Sequence, residues 1–281
     1  MLRPRYDVDL SVFPKKALRV NTLKISVEEL VSRLRSKGVF LEKIPFLDTG
    51  FFYDSSFSLA SSPEYLQGYI YLQDGASQLV AKVLDPKPKE IILDMAASPG
   101  SKTTHIAQLM NNEGVIYALD VKRERLHALI NNCERLSVIN VVSLIKDSRF
   151  ASDLNISFDK VLLDAPCSGN YCNEADYYKK RTIEDLKGRA RLQKELVTEA
   201  FKVLKKGGVL VYSTCSLEPE EDEEVVEYAL SLGFKLEKLD VVGVDTKVEG
   251  TKKLFPHIHG VEPFFVSRLI KWILWVLFGF I

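Results

Sequence analysis

The sequence is poor in the features that settle a protein's class at once. Its 281 residues contain four cysteines, two tryptophans and three methionines. The cysteines are Cys133, Cys167, Cys172 and Cys215; they form no CxxC pair and stand at no zinc-finger spacing from a histidine. That excludes a disulfide scaffold and speaks against a bound metal. Net charge is absent too, since 38 Lys and Arg balance 38 Asp and Glu. The chain as a whole therefore advertises no polyanion partner. Residues 1–60 hold ten basic against seven acidic side chains, an excess small enough to be ordinary solvated surface. Met1-Leu2-Arg3-Pro4-Arg5 lacks the apolar run of a secretory signal, so a cytoplasmic setting with free thiols is expected. The end of the chain, Leu269 to Ile281, is almost all apolar but falls short of the roughly 20 residues of a membrane span. The expectation is that the tail, 271–281, packs on the protein rather than touching a membrane interface or a partner.

What is present is a change of pattern along the chain. Ala17–Lys24 reads as a strand. Ser26 is placed to cap a helix with Glu28 and Glu29 in its first turn, and Gly38 marks its stop. Strands follow at Val39–Lys43 and Gly50–Tyr53, giving a small α+β unit over 1–68 with Pro63 and Gly68 as punctuation. From residue 69 to 270, short apolar runs alternate with helical stretches. The runs are Glu90–Ala97, Gly114–Val121, Asn140–Lys146, Asp159–Asp164 and Gly208–Thr214; the helices are Lys102–Met110, Arg123–Leu136 and Glu184–Leu204. Such alternation predicts an α/β fold with a mostly parallel, doubly wound sheet. Phe264-Phe265-Val266 reads as a last strand, parallel or antiparallel.

Ligands of such sheets bind beyond the carboxyl ends of the strands, so those ends were inspected. The first run ends in Asp94, followed by Met95-Ala96-Ala97-Ser98-Pro99-Gly100-Ser101-Lys102. Small side chains there let a ligand approach the backbone. Neither GxGxxG nor GxxxxGK[ST] is present, which implies a ligand with less anionic demand than a di- or triphosphate. The second run ends in Asp120, placed for ribose hydroxyls, and the third in Asp147, placed for an adenine edge. One such aspartate is most often a cap or turn residue. Three together point to a nucleoside-containing cofactor.

The fourth run ends Asp164-Ala165-Pro166-Cys167-Ser168-Gly169 and the fifth Ser213-Thr214-Cys215-Ser216. Each sets a cysteine just past a buried strand, where neighbouring strands bring both thiols to one cleft. Cys133 and Cys172 read as small core hydrophobes. Asp-Ala-Pro-Cys-Ser-Gly, Tyr-Ser-Thr-Cys-Ser and Asp-Met-Ala-Ala-Ser-Pro-Gly-Ser-Lys-Thr together resemble the Sun (NSUN-type) family of RNA 5-methylcytosine methyltransferases, of the tRNA-modifying type. Arg19-Val20-Asn21-Thr22-Leu23-Lys24, Phe255-Pro256-His257 and Glu262-Pro263-Phe264-Phe265 extend the likeness over roughly 17–270.

The resemblance implies a class I, Rossmann-like S-adenosylmethionine-dependent methyltransferase domain behind a small N-terminal RNA-binding domain. It implies that Ala96, Ala97, Ser98, Pro99, Gly100, Ser101, Lys102, Asp120 and Arg125 hold S-adenosyl-L-methionine, with Asp147 beside the adenine. Cys215 is then the nucleophile, Cys167 assists its release, and Asp164 lies near both cofactor and cytosine. Ala96, Ser98 and Ser101 depart from the family loop Cys-Ala-Ala-Pro-Gly-Gly-Lys, but all three are small. Asn170–Lys180 departs from the usual basic run.

The chemistry explains the residue types. Carbon 5 of cytosine is a poor nucleophile, and thiolate addition at carbon 6 makes it enamine-like. A free thiol ionises near a pKa of roughly 8.5, so nearby positive charge is expected, with Lys102 the candidate. Tyr171, Tyr177 and Tyr178 are either stacking partners for the base or surface residues. An RNA substrate, tRNA before rRNA, and a monomer are expected. Two competing readings remain. A methyltransferase for a small molecule or amine needs no paired cysteines, and a noncatalytic RNA-binding protein needs no cofactor.

Overall fold

The computed structural model describes residues 2–174 and 176–272. Its first part is a four-stranded antiparallel sheet with one helix on it. The strands β1 (Ala17–Val20), β2 (Phe40–Lys43), β3 (Gly50–Asp54) and β4 (Ile70–Leu72) lie in the order β2-β3-β1-β4. Helix α1 (Val27–Ser36) starts where the Ser26 side chain accepts the Glu29 N–H. It ends at Gly38, whose φ of +78° lets the chain turn back. The Gly38 and Val39 N–H groups then reach Arg35 and Leu34 carbonyls, which satisfies the last turn. Leu30 and Leu34, one turn apart, bury the inner face.

Two expectations need correction here. The first strand stops at Val20; the Asn21 N–H still reaches the Tyr69 carbonyl, and its side chain donates to the carbonyls of Gly68 and Leu136. The small sheet also runs past the boundary expected at residue 68. β4 pairs with the otherwise open edge of β1, Leu18 facing Leu72 and Val20 facing Ile70. A short helix, α2 (Pro63–Leu66), leads into it, and α3 (Gly75–Leu84) leaves it under an Asp74 cap.

The second sheet has nine strands. β5 (Ile91–Asp94), β6 (Val115–Asp120), β7 (Val141–Ile145), β8 (Phe158–Asp164) and β9 (Leu204–Thr214) are parallel, in the order β7-β6-β5-β8-β9. Between them run α4 (Ser101–Leu109), α5 (Arg123–Leu136), the short α6 (Tyr177–Lys180) and α7 (Ile183–Val203). After β9 come α8 (Glu223–Ser231), β10 (Phe234–Glu237), β11 (Val244–Asp245), β12 (Lys252–Leu254), α9 (Pro256–His259) and β13 (Phe264–Lys271). β13 runs antiparallel to β9 from Phe265 to Ile270, so the last strand expected at 264–266 is real and longer. It also takes Leu269–Lys271 out of the apolar tail; residues 273–281 lie outside the described ones.

Alternate strand residues serve opposite faces. Ile92, Ala118, Leu162 and Val211 pack under α3, α4 and α5, whereas Leu93, Leu119, Leu163 and Tyr212 pack under α7 and α8. This is the doubly wound arrangement, and each fully buried aliphatic side chain contributes about 1.5–3 kcal/mol. The strand order reverses between β5 and β8, the place where such sheets open a crevice at their carboxyl ends. Among the described residues, no helix is long and apolar enough to cross a membrane.

Candidate active site

The crevice has two halves. The first is a cavity of about 330 Å³ lined by Met95, Ala96, Asp120, Val121, Arg125, Asp147, Ser148, Arg149, Pro166, Leu192 and Leu196. Asp120 ends β6; its carboxylate accepts the Lys122 N–H at 3.0 Å and faces Arg125 Nε at 3.4 Å. Asp147, after β7, accepts the Arg149 N–H and pairs with the Arg149 guanidinium at 2.7 Å. These bonds hold Asp147 below the usual carboxylate range. Carboxylates on one wall and aliphatic side chains on the other suit a nucleoside, its hydroxyls on the first and its base on the second.

Of the residues assigned to the cofactor, Ala96, Asp120, Arg125 and Asp147 line this cavity. Ala97 to Ser101 do not; they form the turn from β5 into α4 behind it. Ser98 donates its hydroxyl to the Arg125 carbonyl, and Arg125 returns a bond to the Ser98 carbonyl at 3.0 Å. Gly100 caps α4 at φ +100°, and a Cβ there would meet Leu129 at 2.7 Å. The small residues of the loop thus serve close packing on α5. Asp94, buried beneath, accepts from Thr103 Oγ1 at 2.7 Å, and burial pushes it up to about 6.

The second half holds the thiols. β8 and β9 are neighbours with Asp164 opposite Ser213, so the residues after them emerge side by side. Cys167 and Cys215 lie with their sulfurs 2.9 Å apart, both free thiols. Lys102, one residue into α4, reaches Asp164 Oδ2 at 2.6 Å, and Ser213 donates to Asp164 Oδ1 at 2.8 Å. Lys102 and Asp164 therefore belong with the cysteines, not with the nucleoside cavity. Burial works against the Lys102 charge, but Asp164, Asp94 and Cys215 outweigh it and raise the ammonium above its ordinary value. The Cys167 thiol is pushed well up by its contact with Cys215, by burial and by the charge of Glu221. The protonated form of Cys167 is thereby favoured.

Sequence reasoning missed what holds this half together. Glu221, fully buried, accepts the Ser168 N–H at 2.9 Å and also the Ser168 hydroxyl. Lys253, 1% exposed, places its ammonium 3.0 Å from Asp222 and 2.9 Å from Glu223. Tyr6 and Arg5 cross from the chain's start to Glu223 and Glu220. The available signal was the acidic run Glu218–Glu224 directly after the second cysteine motif, a pattern that normally marks a solvated helix start. The tyrosines need correction as well. Tyr171 and Tyr177 are buried in a small cluster with Leu217 and Phe255, and Tyr177 bonds Ser168; they are neither surface residues nor stacking platforms. A second cavity, about 350 Å³, opens beside Cys167 and is lined by Ser168, Lys180, Arg181, Asp185 and Arg189.

Strand order, nucleoside-shaped cavity and adjacent thiols define a class I methyltransferase. Residues 81–270 match the family model for 16S rRNA methyltransferase RsmB/F, and residues 9–75 match the N-terminal domain of 16S rRNA methyltransferase RsmF. The chain belongs to the RsmB/F family, and it is a methyltransferase. It is 39% identical to a tRNA (cytosine(49)-C(5))-methyltransferase of Pyrococcus abyssi, over 92% of this chain and 88% of that one. It is 40% identical to ribosomal RNA small subunit methyltransferase F of Vibrio atlanticus, over 92% of this chain but 58% of that one. The fold matches the crystal structure of NSun6 from Pyrococcus horikoshii with SFG at a TM-score of 0.87 and 29% identity, covering 93% and 92% of the two chains.

Proposed function

We propose that this chain transfers a methyl group from S-adenosylmethionine to carbon 5 of a cytosine in RNA, with Cys215 as nucleophile. The observation that carries the reading is the pair of sulfurs 2.9 Å apart at the ends of β8 and β9, beside the Lys102–Asp164 pair. tRNA is the first substrate to test. The tRNA enzyme of P. abyssi is matched along most of its length, whereas the rRNA enzyme of V. atlanticus extends well beyond the match. The identity to the latter keeps rRNA as the second reading.

The cofactor assignment rests on the donor set. Asp120 keeps acceptor capacity for hydroxyls, Asp147 can exchange its exposed Arg149 contacts for a ligand donor, and Leu192, Leu196 and Pro166 offer apolar contact. The relative's SFG, an S-adenosylmethionine analogue, agrees. When bound there, S-adenosylmethionine supplies an electrophilic methyl group. The chain's own residues do the rest. Lys102 sets positive charge beside Cys215. The Cys215 sulfur, as thiolate, bonds carbon 6 and makes carbon 5 nucleophilic. Asp164, fixed by Lys102 and Ser213, can accept a hydrogen of the N4 amine, and that of N3 once N3 takes up a proton as the thiolate's electron pair enters the ring. Cys167, as a neutral thiol, stands ready to protonate the departing Cys215 sulfur.

Lys180, Arg181 and Arg189 around the cavity beside Cys167 suit the phosphates of a strand whose base has been turned out of its stack. The small N-terminal sheet is read as an RNA-binding domain on the same account. The free thiols suit a reducing, cytoplasmic setting and a monomer. The test is transfer of labelled methyl groups to bulk tRNA and rRNA by the wild type and Cys215→Ala. Label on cytosine carbon 5, lost in the variant, supports the reaction and its nucleophile; label elsewhere, or label unaffected by the substitution, refutes them.

A further inference from the structure

Both carboxylate oxygens of Glu221 only accept. Oε1 takes the Ser168 N–H at 2.9 Å and the Gln193 amide at 3.3 Å, and Oε2 takes the Ser168 hydroxyl. Tyr177, hydrogen-bonded to that hydroxyl at 2.7 Å, completes the chain as its donor. Burial pushes Glu221 above its ordinary value, while donors on both oxygens work against that shift and favour the carboxylate. The same Gln193 amide donates to the Pro166 carbonyl at 3.1 Å. Residues 166 and 168 are thus fixed on either side of Cys167, and both bonds lead to Glu221. Nothing in the Lys102–Asp164 pair performs this task; its bonds run to Ser213 and to each other.

We propose that Glu221 is the positioning residue of the Cys167 thiol, aligning it on Cys215 and keeping its proton in place by charge. The inference rests on the reading above, in which Cys167 assists product release. In that step the carbon 5–hydrogen bond breaks and its proton passes to water. Its electron pair forms the carbon 5–carbon 6 double bond. The carbon 6–sulfur bond breaks with its pair going to Cys215, and the Cys167 proton moves to that sulfur. Cys167 is left as thiolate and regains a proton from solvent. A negative carboxylate behind Cys167 keeps it an acid. Two identical side chains in contact are thereby given different roles.

The experiment follows the covalent enzyme–RNA adduct on denaturing gels, with wild type, Cys167→Ala, Glu221→Gln and Glu221→Ala, at several pH values. Cofactor affinity and melting are measured alongside to confirm folding. Cys167→Ala is expected to slow release on the order of 100-fold, the low end for loss of a positioned acid. Glu221→Ala, which frees the Cys167 loop, is expected to hold about ten times more adduct than wild type at neutral pH, within the same range. Glu221→Gln preserves the shape and removes the charge. It is expected to release like wild type near pH 7 and to lose release at a lower pH than wild type on the alkaline side, because removing the Glu221 charge lowers the pKa of the Cys167 thiol. A Glu221→Gln profile that superimposes on wild type at all pH values overturns the proposal. So does a folded Glu221→Ala without excess adduct. If Cys167→Ala releases RNA normally, the release role itself has failed and the proposal falls with it, while the Cys215 chemistry stands.

Discussion

The same edge of the same sheet is built in two ways. At the ends of β6 and β7, Asp120 and Asp147 pair with Arg125 and Arg149, whose side chains are about half exposed. Such pairs are worth little to stability and yield easily to a ligand. At the ends of β8 and β9, by contrast, Glu221, Asp222 and Lys253 are buried and bonded to one another's loops. Breaking a buried ionic network of this kind is costly because it leaves a charge without its partner. The difference matches the demands on each half. A cofactor that must come and go needs loosely engaged acceptors. Two sulfur atoms that must meet a ring carbon need a rigid frame.

This contrast can be broken by experiment, starting with the largest effect. Cys215→Ala should reduce methyl transfer to background while leaving cofactor affinity and melting temperature unchanged, measured by label transfer and titration calorimetry. Residual transfer above background would remove the thiol half from the chemistry. Lys253→Met should cost about 3–5 kcal/mol in urea unfolding, since Asp222 and Glu223 lose their shared buried cation. A loss below about 1 kcal/mol would put the frame on a par with a surface pair. Asp120→Asn should do the reverse, weakening S-adenosylmethionine roughly tenfold, as for one charged hydrogen bond, with little change in melting of the free protein. A protein that instead unfolds would show both halves to be structural.

The smallest effect concerns pH. Burial raises Glu218 to about 7 in the fold. Folding therefore favours its protonated form, and that contribution is complete below about pH 4.3, its ordinary value, and fades as pH rises through about 7. Thermal melting of the wild type should carry this decline between about pH 4.3 and about pH 7, and Glu218→Gln should flatten it by a few degrees. Arg5, 3.5 Å away, offsets part of the effect.

How far the sequence revealed this molecule follows the same division. Asp120 and Asp147 each follow an apolar run, so the ends of those runs located them at the cavity they line. Both cysteines were placed by the same rule, and their contact follows from β8 lying next to β9. The frame around them was not legible, because Glu221 reaches Ser168 across 53 positions and Tyr6 reaches Glu223 across 217. No local pattern encodes partners so distant. An acidic run after a strand looks the same whether it meets water or a lysine arriving from elsewhere. The fourth strand of the small sheet was missed for a related reason. β4 is three residues long, too short for periodicity, and exists because β1 offers it an edge.

Arg19 carries one more consequence. From β1 its guanidinium donates to the Ser101 carbonyl and Thr104 Oγ1 in the first turn of α4, and to Gln73 beside β4. Asn21 similarly grips the last residue of α5. The front sheet is therefore no detachable module. Cut away, it would strip a buried cation's partners from the helix that carries Lys102, and a foreign substitute would have to bring its own arginine. The two sheets should melt in one transition, and the pair should be inherited as a single block.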